Sequence, residues 1–102
     1  MQLVFKASEK SPLSALAMAR LAKEAGFPSG VLQVVSGAGK TGALLASDMT
    51  IAKLSFTGST GVGKIVQELG LNSNMKQVTA ELGGKSPAIV FDDADLANAI
   101  EG

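Results

Sequence analysis

An α/β fold built on parallel strands is what this chain of 102 residues predicts. Three observations carry that expectation. Short apolar runs alternate with stretches of helical spacing from end to end, the connections between them are brief, and glycine or proline marks most of the joins. Repeated strand–helix units with short loops place successive strands parallel, with helices packed on the faces of the sheet. At this length the chain forms one domain at most, with room for a single core.

The elements follow in order. Leu3-Val4-Phe5 reads as a strand. Ser11 and Pro12 mark a helix start, a hydroxyl N-cap followed by proline at the first helical position. Leu13, Leu16, Ala17 and Leu21 keep helical spacing, and Leu13, Leu16, Met18 and the helix alanines are the expected core positions. Gly26, followed by Phe27 and Pro28, closes that helix. Val31–Val35 is the second strand, and Thr41–Ser47 a shorter helix. Ala52–Phe56 is the third strand, and Gly63 to about Leu71 the third helix. Lys76–Glu81 and Pro87–Phe91 give two more strands. The segment from Asp95 to Gly102 begins an amphipathic helix of about two turns, short of the roughly 12 residues at which an isolated helix becomes marginal. The opening strand and this short last helix make the chain look cut at both ends. No internal repeat, low-complexity segment or interdomain linker is evident.

Nine basic and nine acidic residues leave no net charge. Neither a phosphate backbone nor an anionic lipid surface finds a basic patch here, so nucleic acid and membrane are not expected partners. No apolar run reaches membrane-spanning length, and the N-terminus lacks the order of a signal peptide. The sequence has no cysteine and no histidine, which excludes disulfides and the common zinc sites, and no metal is expected.

Two glycine loops invite a nucleotide reading. Gly37-Ala38-Gly39-Lys40-Thr41-Gly42 fits the dinucleotide pattern G-x-G-x-x-G between a predicted strand and helix. Its usual companion, an acid at the end of the next strand, is missing, because that strand ends in Phe56-Thr57. A tight strand-to-helix turn explains the loop equally well. Gly58-Ser59-Thr60-Gly61-Val62-Gly63-Lys64 matches the first seven positions of a phosphate-binding P-loop. It fails at Ile65, where the motif needs a hydroxyl for magnesium. Phosphate binding survives both failures: Gly58-Ser59 opens a helix after a strand, where free N–H groups and the helix dipole favour an anion. An N-capped helix after a glycine turn is the plain alternative.

The most informative stretch is Thr79-Ala80-Glu81-Leu82-Gly83-Gly84-Lys85-Ser86-Pro87. It puts a carboxylate at a strand end, followed by two glycines that let the backbone approach a ligand. This stretch resembles the active-site glutamate signature of the aldehyde dehydrogenase superfamily. Phe56-Thr57-Gly58-Ser59-Thr60, Phe5–Leu13 and Glu24–Val31 are similar to blocks of the same family, in family order, and together the four cover essentially the whole chain. The resemblance implies a Rossmann-like parallel sheet with flanking helices, incomplete at both ends. Residues 1–102 would be part of the NAD-binding domain of an NAD(P)-dependent aldehyde dehydrogenase.

Carried over by that resemblance, Lys6 and Glu9 would hold the adenosine ribose hydroxyls, and Gly39 would let the backbone approach the adenosine. Ser59 would contact the pyrophosphate, Gly58 would allow its close approach, and Val62 would line the adenine slot. Glu81 would be the general base, with Leu82 and Gly83 facing the nicotinamide. Without the resemblance, Lys6 and Glu9 read as a solvated pair, and Glu81 and Lys85 as surface charges. Departure from the usual dinucleotide fold in this family agrees with the missing acid after the Gly37 loop.

The family oxidises an aldehyde to a carboxylic acid through a cysteine nucleophile, which splits the reaction into hydride transfer and acyl hydrolysis. The resemblance places that cysteine beyond Gly102 and the oxyanion-hole asparagine before Met1, with the substrate tunnel and the oligomerisation segment of these homo-oligomers absent too. NAD is the expected cofactor ahead of NADP, and an aldehyde the substrate of the full-length relative, which would be cytoplasmic, or mitochondrial as the alternative. Two readings follow. One is a fragment of an NAD-dependent aldehyde dehydrogenase, inactive by itself. The other is a non-catalytic nucleotide-binding or interaction module derived from that fold.

Overall fold

The computed structural model describes residues 1–84, 87 and 89–101. Strands β1 (Leu3–Lys6), β2 (Leu32–Val35), β3 (Lys53–Gly58) and β4 (Gln77–Leu82) alternate with helices α1 (Leu13–Glu24), α2 (Gly39–Ser47) and α3 (Thr60–Asn72), and α4 (Leu96–Glu101) follows. Both strand pairings are parallel, β1 with β2 and β3 with β4. The α/β class and the parallel pairing are therefore as the sequence predicts, with the strands falling into two pairs. In the second pair Thr57 lies opposite Glu81, and Gly58 opposite Leu82.

Local chemistry explains most boundaries. Gly26 adopts φ 86°, and the amides of Gly26 and Phe27 return to the carbonyls of Lys23 and Ala22, which closes α1 through its last orphan acceptors. At the other end of α1 the sequence expectation fails: Pro12 occupies the N-cap, and no side chain caps the helix. Ser11 is instead held in a turn, its amide donating to the Ser8 carbonyl at 3.2 Å. Helix α3 begins three residues earlier than expected, because Ser59 takes the N-cap and its Oγ accepts from the Val62 amide at 3.4 Å. Asp95 caps α4, accepting from the Ala97 amide at 2.9 Å.

Packing relies on small side chains. Ala7, Ala15, Ala46 and Val66 are the buried apolar residues among those described. Helix α3 turns a stripe of Gly63, Val66 and Gly70 inward. A Cβ on Gly70 would stand 2.8 Å from Val78 Cγ2, so glycine sets how near α3 lies to β4. The expected core of α1 is corrected here. Leu13, Leu16 and Met18 are exposed, Leu13 by 78%, because the helix meets β2 through the row of Ala15, Ala19 and Ala22.

The strand expected over Pro87–Phe91 does not form. Pro87 and Ile89–Phe91 are unpaired, and Ala88 lies outside the described residues. A strand needs a neighbour for its backbone groups. Here the run ends in a turn, where the Ala94 amide donates to the Phe91 carbonyl at 3.1 Å.

Candidate functional site

Parallel strands linked by helical crossovers bring the carboxyl ends of β3 and β4 together with the N-terminus of α3. Open α/β sheets bind ligands at such an edge. The join is direct: the Gly83 amide donates to the Gly58 carbonyl at 3.2 Å, and Thr60 Oγ1 donates to the Gly83 carbonyl at 3.4 Å. Ser59, Gly58, Glu81, Leu82 and Gly83 therefore sit on one contiguous surface. Val62 lies one turn into α3 and is exposed.

Ser59 is exposed, and with its oxygen accepting from Val62 its hydroxyl proton remains available outward. The first amides of α3 have no intrahelical acceptor, as at any helix start. Glu81 is exposed, and its carboxylate makes no hydrogen bond or ion pair among the described residues. A Cβ on Gly58 would stand 2.6 Å from Phe56 Cζ, so a side chain there would displace that ring. Lys85, the last charge of the glutamate stretch, lies outside the described residues.

Lys6, Glu9 and Gly39 form a second group. The Lys6 ammonium donates to the carbonyls of Ala7 and Gly37, both at 2.6 Å, and lies 3.8 Å from Glu9 Oε2. It therefore ties the end of β1 to the turn that starts α2, with one donor left over. Gly39 is the first residue of α2, and a Cβ there would meet no protein atom. Gly37, by contrast, leaves room for the Thr41 side chain. Two shallow concavities, one at Arg20, Lys23 and Glu24 and one under Phe27 and Pro28, include none of these residues.

The structure also removes an alternative. Thr60–Lys64 are helical, so the P-loop match does not form a loop wrapped around a phosphate. Among the described residues no cluster of acidic side chains could hold a metal ion. No helix is long and apolar enough to cross a membrane. Sequence reasoning missed Thr60 and Gly63 as site-shaping residues. The one available signal was the spacing of Gly63 and Gly70, seven residues apart and so on one helical face.

Comparison with known proteins agrees with this geometry. A model of the aldehyde dehydrogenase family matches residues 2–102. An aldehyde dehydrogenase of Emericella nidulans is 59% identical over 95% of the chain and 20% of its own length. The cytosolic aldehyde dehydrogenase 1 of Rattus norvegicus is 60% identical over 96% of the chain and 20% of its own length. Among solved structures, the indole-3-acetaldehyde dehydrogenase AldA of P. syringae, in complex with NAD+ and IAA, superposes with a TM-score of 0.87. It is 50% identical, over 96% of this chain and 20% of that one. PnpE in complex with nicotinamide adenine dinucleotide gives 0.86 at 44% identity, over 99% and 21%. An NADP-dependent enzyme of E. coli gives 0.85 at 50% identity, over 98% and 21%.

The fold is that of the nucleotide-binding region of the aldehyde dehydrogenase structures it superposes on. The chain belongs to the aldehyde dehydrogenase family, and it spans about a fifth of the length of the relatives it matches.

Proposed function

We propose that this chain supplies the NAD site and the general-base carboxylate of an aldehyde dehydrogenase that oxidises an aldehyde to a carboxylic acid. The observation that carries the reading is the Gly83–Gly58 hydrogen bond, which holds the glutamate segment against the helix start that suits a pyrophosphate. The residues present fit such a cofactor. The start of α3 offers unpaired amides and the Ser59 hydroxyl, Gly39 leaves the backbone open, Gly58 adds no side chain before the helix start, and Glu9 with Lys6 offers a ribose-binding pair. Val62 would line the adenine slot, and Leu82 and Gly83 would face the nicotinamide. NAD accepts a hydride when bound.

Glu81 then has one task, to take a proton from the water that hydrolyses the acyl group. An exposed carboxylate without a competing partner among the described residues is suited to that. The acyl-bearing cysteine and the aldehyde site belong to the remainder of the whole enzyme, which forms homo-oligomers. A cytoplasmic location accords with the cytosolic relative.

Calorimetric titration of the chain with NAD tests the reading. Binding that weakens on Ser59→Ala is expected. Absence of any NAD binding, or indifference to that substitution, would overturn it.

A further inference from the structure

We propose that Gly63 is a positioning residue for the nicotinamide end of the site, and that it acts by seating the Leu82 side chain. The inference rests on the reading of Leu82 and Gly83 as nicotinamide-facing. Its geometry does not. Gly63 is buried in the first turns of α3, and the space its missing Cβ would fill is taken by Leu82 Cδ2. Leu82 Cδ1 and Cγ follow at 3.5 and 3.6 Å from the same point. Leu82 is otherwise 40% exposed at the last position of β4, so this seat is what anchors its side chain.

Two further contacts fix the same segment, one to the end of β3 and one to the first residue of α3. The Gly83 amide reaches the Gly58 carbonyl, and the Thr60 hydroxyl reaches the Gly83 carbonyl. The segment Glu81-Leu82-Gly83 is thus held by α3 through one side-chain seat and one hydrogen bond to its first residue, and by the end of β3 through another. A methyl at position 63 expels Leu82 from that seat and leaves Ser59, the N-cap and the helix start untouched. Its effect is therefore directed at one half of a dinucleotide. Ligands that stop at the second ribose should not sense it.

The experiment compares the wild-type chain with Gly63→Ala, Leu82→Ala and the double variant, using NAD and ADP-ribose as ligands. Amide hydrogen exchange is followed in the absence of ligand. Gly63→Ala is expected to weaken NAD by about fivefold or more while ADP-ribose changes less than about twofold, and to have no further effect once Leu82 is alanine. Exchange should quicken at Gly83 and leave Val78, at the far end of β4, unchanged. Equal losses for both ligands, an undiminished effect in the Leu82→Ala background, or faster exchange along the whole of β4 would overturn the inference in favour of a purely structural glycine. If the wild-type chain binds neither ligand, the proposed cofactor site fails, and the exchange pattern alone still decides the role of Gly63.

Discussion

The Lys76 ammonium donates to the main-chain carbonyl of Ala46 at 2.7 Å, across 30 residues of sequence. It also donates to Ser73 Oγ, which passes a hydrogen bond of 2.9 Å to the Gly70 carbonyl. One cation therefore meets the carboxyl ends of both α2 and α3, where the helix dipoles are negative. Its side chain is almost wholly buried, at 7% exposure for the residue. Lys76→Met keeps most of the stem and removes the ammonium donor, leaving the Ala46 carbonyl only the longer contact from Ser73 Oγ at 3.4 Å. A loss of about 1–3 kcal/mol is expected, read from the urea midpoint. An unchanged midpoint would show that the ammonium contributes nothing net.

Acid sensitivity should trace in part to Asp48. The hydroxyl of Thr50 donates to its Oδ1 at 2.5 Å and the Thr50 amide at 2.7 Å, which hold the carboxyl below its ordinary value. A depressed folded-state pKa contributes stability that is fully present above the unfolded value and is lost as pH falls through the folded one. Asp48→Asn should flatten this part of the acid limb by lowering stability near neutrality, where the charged carboxyl contributes, and leave stability little altered once the wild-type carboxyl is protonated. Denaturant midpoints measured down through the carboxylate range compare the two proteins, and superimposable curves would contradict the assignment.

Cofactor choice should follow Glu9. A carboxylate accepts a hydrogen bond from a ribose 2′-hydroxyl and repels a 2′-phosphate. Lys6 does little to reverse this, since two of its donors are occupied by the carbonyls of Ala7 and Gly37. The chain should bind NAD more tightly than NADP, and Glu9→Gln should narrow the gap. Tighter binding of NADP would remove Glu9 from the ribose.

Solution behaviour should reflect how much apolar surface is uncovered. The radius of gyration is 18.9 Å, against about 13 Å for a compact domain of this length. Leu13, Leu21, Leu44 and Phe91 are all exposed. Leaving two or three such side chains unburied forgoes roughly 1.5–3 kcal/mol each, a large part of the 5–15 kcal/mol a domain usually holds. Self-association on size exclusion, or a broad melt, is expected. A monodisperse monomer melting cooperatively above about 60 °C would refute this.

No aldehyde-dependent NADH formation is expected from the 102-residue chain. Glu81 activates water only against an acyl intermediate, and the sequence has neither a thiol to form one nor a histidine to activate a serine. Absorbance at the NADH band, with and without aldehyde, reads the outcome. Turnover that survives re-purification and vanishes on Glu81→Gln would require a nucleophile among the serines or threonines.

Element order was legible because apolar spacing changes period between strand and helix, and the site was legible because its motifs fall at the joins. What could not be read depended on tertiary partners. The leucines of α1 have helical spacing, yet spacing alone does not choose between them and the alanine row that meets β2. Ile89-Val90-Phe91 has strand composition, but a strand requires a neighbour that composition does not supply. The start of α3 was misplaced because Gly61 and Gly63 disfavour helix interiors, while the Ser59 cap and close packing on β4 override them. Lys76 gave no signal at all, since a lysine beside a turn reads as solvated.

Glycine patterns in this chain also carry a lesson about ambiguity. A string such as Gly58-Ser59-Thr60-Gly61-Val62-Gly63 invites a search for a ligand to fill the gaps its missing side chains leave. Two of those gaps are already occupied from within, Gly58 by the ring of Phe56 and Gly63 by Leu82. Their tenants are hydrocarbon, and both lie within two residues of a glycine or a carboxylate of the site. The motif is thus a record of neighbouring side chains as much as of a phosphate, and its meaning changes if those neighbours change size.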